Sequence, residues 1–211
     1  MLSESIRRGG VILGYGLLFE PTHDGPRPCV QHALGLPIVR SPSVHTDDPF
    51  FRATSAVCNI PTLTAAATAS GFLNAAPDPD GILRRAPLLM QYGDRVYPAL
   101  SLAAVQSLTD ARNLVLRVAN INTASLGLDG HDVPLDGKSN LLLRYRGGRR
   151  TFPYVSAVDV LYGAVSPEQF TDRIVFVGTT ALGTREVVAT PLDTLFVGVE
   201  VQATVADNLL Q

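Results

Sequence analysis

Arg173-Ile174-Val175-Phe176-Val177-Gly178 has a charged entrance, four apolar residues in a row and a glycine exit. A strand apolar at every position is suited to burial on both faces of a covered sheet, which is the usual setting of parallel strands. The stretch therefore predicts an internal strand over 173–177, parallel to at least one neighbour. Downstream, Val201, Val205 and Leu209 are spaced i, i+4 and predict a terminal helix over 199–210. These two readings set the fold class as α/β. The expected form is a mixed, partly parallel sheet flanked by helices, with an antiparallel meander in the middle, built as one domain over 1–211.

The rest of the chain fills in that plan. Leu2 and Ile6 are four apart and predict a short helix ended by Gly9-Gly10, with a buried strand starting at Val11. Residues 20–50 carry six prolines and three of the four histidines, which predicts a long, mostly irregular excursion. Residues 63–69 are alanine-rich and of open type. Pro77-Asp78-Pro79-Asp80-Gly81 is a turn cluster, followed by a strand over 82–91 that reverses at Tyr92-Gly93-Asp94. Pro98 stands where a helix opens, with Leu102, Val105 and Leu108 as its buried face. Residues 114–117, 124–128, 133–135 and 141–146 read as strands, with turns at Asp129-Gly130 and Asp136-Gly137. Three consecutive leucines at 141–143 point to a central strand. Residues 155–162 and 167–170 read as short helices, and 82–91 and 141–146 are expected in one sheet.

Composition narrows the function classes. The 211 residues carry a formal charge of −2, and Lys138 is the one lysine. Such a balance offers no field for gathering nucleic acid. The apolar stretch after Arg7-Arg8 is short and broken by Gly14 and Gly16, with no cleavage pattern, so no signal peptide is read. No apolar run reaches the roughly 18 residues of a spanning helix.

The chemistry-bearing residues are few. No G-x-S-x-G elbow is present. Gly178-Thr179-Thr180 follows the expected strand, where α/β folds bind ligands, but lacks a phosphate-loop or dinucleotide fingerprint. A strand exit capped by hydroxyls accounts for it. Alternatively, its amides and hydroxyls, with Arg185, hold a small anion. Cys29 and His32, with His23, His45 and Cys58, lack the paired spacing of a zinc site, so neither metal nor cofactor is expected. Cys29 and Cys58 are read as thiols, with a disulfide as the alternative in an oxidising compartment. Asp78, Asp80, Arg84 and Arg85 form the densest charged cluster. Turn formation explains the acids, and adjacent arginines on a strand would put one guanidinium on each face, so that the inward one needs an acidic or carbonyl partner. Arg144, Arg146, Arg149 and Arg150 make a modest basic patch with no aromatic stripe.

Several segments, taken in order, resemble the CHASE2 domains. They are Asp78-Pro79-Asp80-Gly81-Ile82-Leu83-Arg84-Arg85, Tyr97-Pro98-Ala99-Leu100-Ser101-Leu102, Leu141-Leu142-Leu143-Arg144-Tyr145-Arg146-Gly147, Phe152-Pro153-Tyr154-Val155-Ser156, Ile174-Val175-Phe176-Val177-Gly178, Ala189-Thr190-Pro191-Leu192 and Gly198-Val199-Glu200-Val201-Gln202-Ala203. Order and spacing agree over about residues 71–211. The family's opening strand with its Trp-Pro segment is absent, and the chain has no Trp.

The resemblance implies an extracytoplasmic sensory domain of a bacterial membrane receptor, placed ahead of transmembrane helices and a cytoplasmic adenylate or guanylate cyclase, histidine kinase or serine/threonine kinase. It carries no catalytic residue set. The expected function is therefore a non-enzymatic input domain, responding to an unknown small-molecule or protein signal. It would act as a homodimer tethered to the membrane through other parts of its parent. The candidate ligand residues are Gly178, Thr179, Thr180, Arg185 and Arg84. Two alternatives stand beside it: a small-molecule hydrolase or transferase using the 178–185 loop, and a structural dimerisation module.

Overall fold

Helix α1 (Leu2–Arg8) buries only Ile6 and ends at Gly9-Gly10, where Gly10 takes a φ of +61° and turns the chain into strand β1 (Ile12–Leu18). The computed structural model describes residues 1–20, 32–42, 48–111, 113–180 and 187–211. Cys29, His23, His45 and Arg185 lie outside them, with much of the proline-rich excursion. The next elements are β2 (Ile38–Arg40), β3 (Phe51–Ala53), β4 (Ser55–Val57), α2 (Pro61–Thr64) and β5 (Ala69–Phe72). They are followed by β6 (Arg85–Pro87), β7 (Leu89–Tyr92), β8 (Arg95–Pro98) and α3 (Leu100–Thr109). A meander of β9 (Leu114–Asn120), β10 (Thr123–Leu128) and β11 (His131–Asp136) leads to β12 (Asn140–Leu142) and α4 (Ala157–Leu161). The last elements are β13 (Val187–Val188), β14 (Phe196–Val197) and α5 (Gly198–Leu209).

The strands pair both ways, and the architecture is mixed α/β. β1 lies parallel to β5, with Ile12 opposite Ala69 and Tyr15 opposite Phe72, and antiparallel to β4. β9, β10 and β11 form the antiparallel meander, and β2 joins β9 in parallel. Asp129 and Gly130 both take positive φ between β10 and β11, as a tight hairpin requires. β7 and β8 form the expected hairpin around Gly93, while β6 and β12 bring the 82–91 and 141–146 regions together. Phe72, Leu83, Leu88, Leu89, Leu102 and Val105 are fully buried at the centre. Each such side chain contributes roughly 1.5–3 kcal/mol by leaving water.

One packing contact sets the geometry near the site. A Cβ placed on Gly71 would stand 2.6 Å from both Cα and N of Leu100. Only glycine lets β5 run this close to the opening of α3. Thereafter α3 packs on α5, burying Ser101, Leu102, Ala103, Ala104 and Val105.

The structure corrects several expectations. Residues 173–177 form no strand and are not internal. Ile174 and Phe176 pack against the core, but Val175 is 51 % exposed and Val177 90 %. Among the described residues, the backbone of 173–178 makes no backbone hydrogen bonds. The apolar run is thus buried on one side only, and among the described residues no strand pairs with it. Likewise the leucines at 141–143 alternate: Leu141 and Leu143 are buried while Leu142 is 64 % exposed, so β12 has a wet face. Pro98 closes β8 rather than opening α3, and Leu108 is 48 % exposed on the helix's outer side. Cys58 is disulfide-bonded, not a free thiol.

Two measurements test this frame. Gly71→Ala should lower the urea-unfolding free energy by about 3 kcal/mol, because backbone rather than a side chain blocks the new methyl. A loss below 1 kcal/mol would contradict the close approach. The second concerns His32, whose Nδ1 lies 2.9 Å from the Ser70 hydroxyl on β5. Burial holds its pKa below the ordinary 6.5, so the unfolded chain binds the proton more readily. Stability should therefore be full above that value and fall as pH drops through it. His32→Asn should flatten the urea midpoint between pH 7.5 and 5 relative to the wild type.

Candidate functional site

The first turn of α5 gathers the polar groups that organise this end of the molecule. Glu200 sits there with 2 % of its surface exposed. Its Oε1 accepts from the backbone N–H of Thr151 at 3.0 Å and of Phe152 at 3.4 Å. Its Oε2 accepts from the N–H of Arg150 at 3.0 Å and from the Tyr154 hydroxyl at 2.7 Å. Four donors satisfy a carboxylate that would otherwise be prohibitively costly to bury. The helix dipole adds to this, since negative charge is favoured at a helix start. Burial first, and then the Glu200 bond, pushes the Tyr154 phenol well above its usual range. Arg150, at a φ of +66°, stacks its guanidinium over the Tyr154 ring.

The same loop is held from a second side. Asp193 accepts from the N–H of Arg149 and of Leu195, each at 2.9 Å, and these bonds hold its carboxyl below the usual carboxylate range. At the far end of α5, Asn208 accepts from the Arg144 N–H at 2.7 Å and donates to its carbonyl at 3.0 Å. Asp207 takes the Arg146 guanidinium in a two-pronged pair. Of the basic patch read in the sequence, Arg146 thus pairs its guanidinium with α5, while Arg144 is tied to the helix through its backbone.

Beside the first turn of α5 opens a cleft of about 440 Å³. Phe176, Val177, Gly178 and Thr179 form one wall, Leu73 and Leu83 another, and Val199 and Gln202 of α5 its side. A Cβ on Gly178 would lie 2.8 Å from Cβ of Val199, so the absent side chain lets this segment rest on the helix. Gln202 is nearly buried. Its Oε1 accepts from the Ser101 hydroxyl at 2.6 Å, and its Nε2 reaches the Leu73 carbonyl at 3.4 Å. The one Ser101 proton is shared with the Gln202 backbone carbonyl at 2.9 Å, and this forked contact ties α3 to α5.

The sequence-read candidates divide. Gly178 and Thr179 line the cleft, and Thr180 follows them exposed. Arg185 lies outside the described residues. Arg84 does not line the cleft: it is bound to Asp80 at 2.8 and 2.9 Å and to Asp78 at 3.1 Å. That guanidinium, with a backbone bond from Ile82, brings the Asp80 carboxyl down to about 2. Arg85 shares Asp78 at 3.0 Å, so both arginines turn to the same acid rather than to opposite faces. Among the described residues no group of three or more His, Cys, Asp or Glu could hold a metal ion. Residue-level reading missed Glu200, Gln202 and Ser101. The available signal was two polar side chains, Glu200 and Gln202, inside an otherwise apolar helix opening.

The polar network of this mixed α/β domain is thus gathered on its last helix. The chain belongs to the CHASE2 family, whose domain model matches residues 2–211. CHASE2 domains are extracytoplasmic sensory domains, not catalytic ones. No curated protein and no solved structure matches the chain. No described helix is long and apolar enough to cross a membrane.

Glu200→Gln tests the network directly. The amide keeps the volume but turns a donor toward groups that are themselves donors, and it removes the charge. A loss of about 2–3 kcal/mol in unfolding free energy is expected, with increased hydrogen exchange at residues 150–152. Wild-type protection at those amides would contradict the role given to the carboxylate.

Proposed function

We propose that this chain is the input domain of a membrane-tethered receptor and that α5 carries its signal toward a cyclase or kinase output. The observation supporting this most directly is the position of the cleft, which opens onto the turn that bears both Glu200 and Gln202. An occupant there touches the helix at the point where it is anchored to α3 and to the 148–154 loop. The helix is otherwise braced along its length, since Val201, Val205, Ala206 and Leu209 are buried. A shift at its first turn is then passed along a packed element rather than absorbed locally.

The reading makes two demands on the parent receptor in intact cells. Tyr162 is 85 % exposed, so a Tyr162→Cys variant should react with a membrane-impermeant maleimide without lysis. Ser101→Ala removes the hydroxyl that ties α3 to α5, and should change the basal cyclase or kinase output severalfold while the domain stays folded. Labelling only after lysis would overturn the location. An unchanged output would overturn the relay through α5.

A further inference from the structure

The cleft beside α5 has a definite chemical character. Its volume of about 440 Å³ falls within the range of small-molecule sites, about 300–1,000 Å³. Leu73, Leu83, Leu100, Phe176, Val188 and Val199 supply most of the wall, and no ionisable side chain lines it among the described residues. Among the described residues no counter-charge faces the cleft to replace the hydration a charged ligand would lose there. An apolar body, by contrast, gains by leaving water.

Within this lining Gln202 offers the under-used polar group. Its Oε1 is committed to Ser101 at 2.6 Å. Its Nε2 has two N–H donors, yet its one partner among the described residues is the Leu73 carbonyl at 3.4 Å, longer than the usual 2.7–3.2 Å of such bonds. An acceptor placed in the cleft can take that donor at little loss.

We propose that the cleft binds an uncharged, largely apolar small molecule whose carbonyl or ether oxygen accepts a hydrogen bond from Nε2 of Gln202. The proposal rests on the input-domain reading and adds the class of ligand to it. Binding replaces the long bond to Leu73 and loads the amide that also holds Ser101, so occupancy is felt at the α3–α5 contact.

Two naphthalene dyes separate the possibilities. The neutral ketone 6-propionyl-2-(dimethylamino)naphthalene should bind the full chain saturably and at least tenfold more tightly than the charged 8-anilinonaphthalene-1-sulfonate. Leu73→Trp places bulk at the half-exposed mouth and should weaken the ketone at least tenfold with an unchanged urea midpoint. Gln202→Leu keeps the volume, removes the donor and should weaken it about tenfold. If that variant unfolds, Leu73→Trp and the dye comparison still decide the matter. Equal or tighter binding of the sulfonate, or a Leu73→Trp protein that binds the ketone as the wild type does, overturns the proposal. If the ketone binds as described but leaves hydrogen exchange in the first turn of α5 unchanged, the ligand class stands and the receptor reading fails. If it does not bind while Ser101→Ala still changes the parent's output, the reverse holds.

Discussion

A buried carboxylate cannot be left unpaired, and that requirement shapes the C-terminal half of this domain. Glu200 is out of water at the start of α5, so four donors must converge on it. Three are backbone N–H groups from consecutive residues, which forces the 150–152 segment to turn its amides inward and places Arg150 in a left-handed conformation. The fourth is the Tyr154 hydroxyl. Because these groups lie some fifty residues away in the chain, the ion holds a distant loop on the helix. Breaking such a site by removing one side leaves donors or charge stranded, which costs more than the net gain of the intact bonds.

The same turn of α5 serves as a wall of the cleft, and the two functions are compatible because they use different faces. Glu200 looks toward the 150–154 loop, with Thr204 donating to its backbone carbonyl one turn on at 2.8 Å. Gln202 looks toward α3 and Leu73. The first contact is charge-assisted, with four bonds of 2.7–3.4 Å; the second is neutral, with a bond of 2.6 Å to Ser101 and one of 3.4 Å to Leu73.

The local patterns were informative wherever burial followed from sequence neighbours alone. Val201, Val205 and Leu209 are buried as their spacing requires, and Asp129-Gly130 and Gly93 make the hairpins their φ freedom allows. The ordered series of short segments from Asp78 to Ala203 identified the family. Two of those segments meet in the structure: Phe152 and Tyr154 with Glu200. Thr190 belongs to a third, and its hydroxyl accepts from the N–H of Asp193, whose carboxylate holds the same loop. Residue-level reading had no means of ranking Glu200 above other first-turn acids, since three of its four partners are backbone amides, which carry no residue signature, and the fourth, Tyr154, lies 46 residues away.

Residues 173–178 mark the boundary most sharply. Apolar residues at every position state that a segment avoids water, but not how many neighbours stand ready to cover it. Here one side meets the core through Ile174 and Phe176, and Val175 and Val177 face outward. Arg84 makes the same point for charge: its place near a turn was legible, while its commitment to Asp80 and Asp78 required the turn to close. Periodicity, turn residues and composition act between neighbours along the chain, so the amino-acid order alone specifies helices, hairpins and the family. Cleft, clamp and open edge depend on contacts between residues tens of positions apart, and those exist only once the chain has packed.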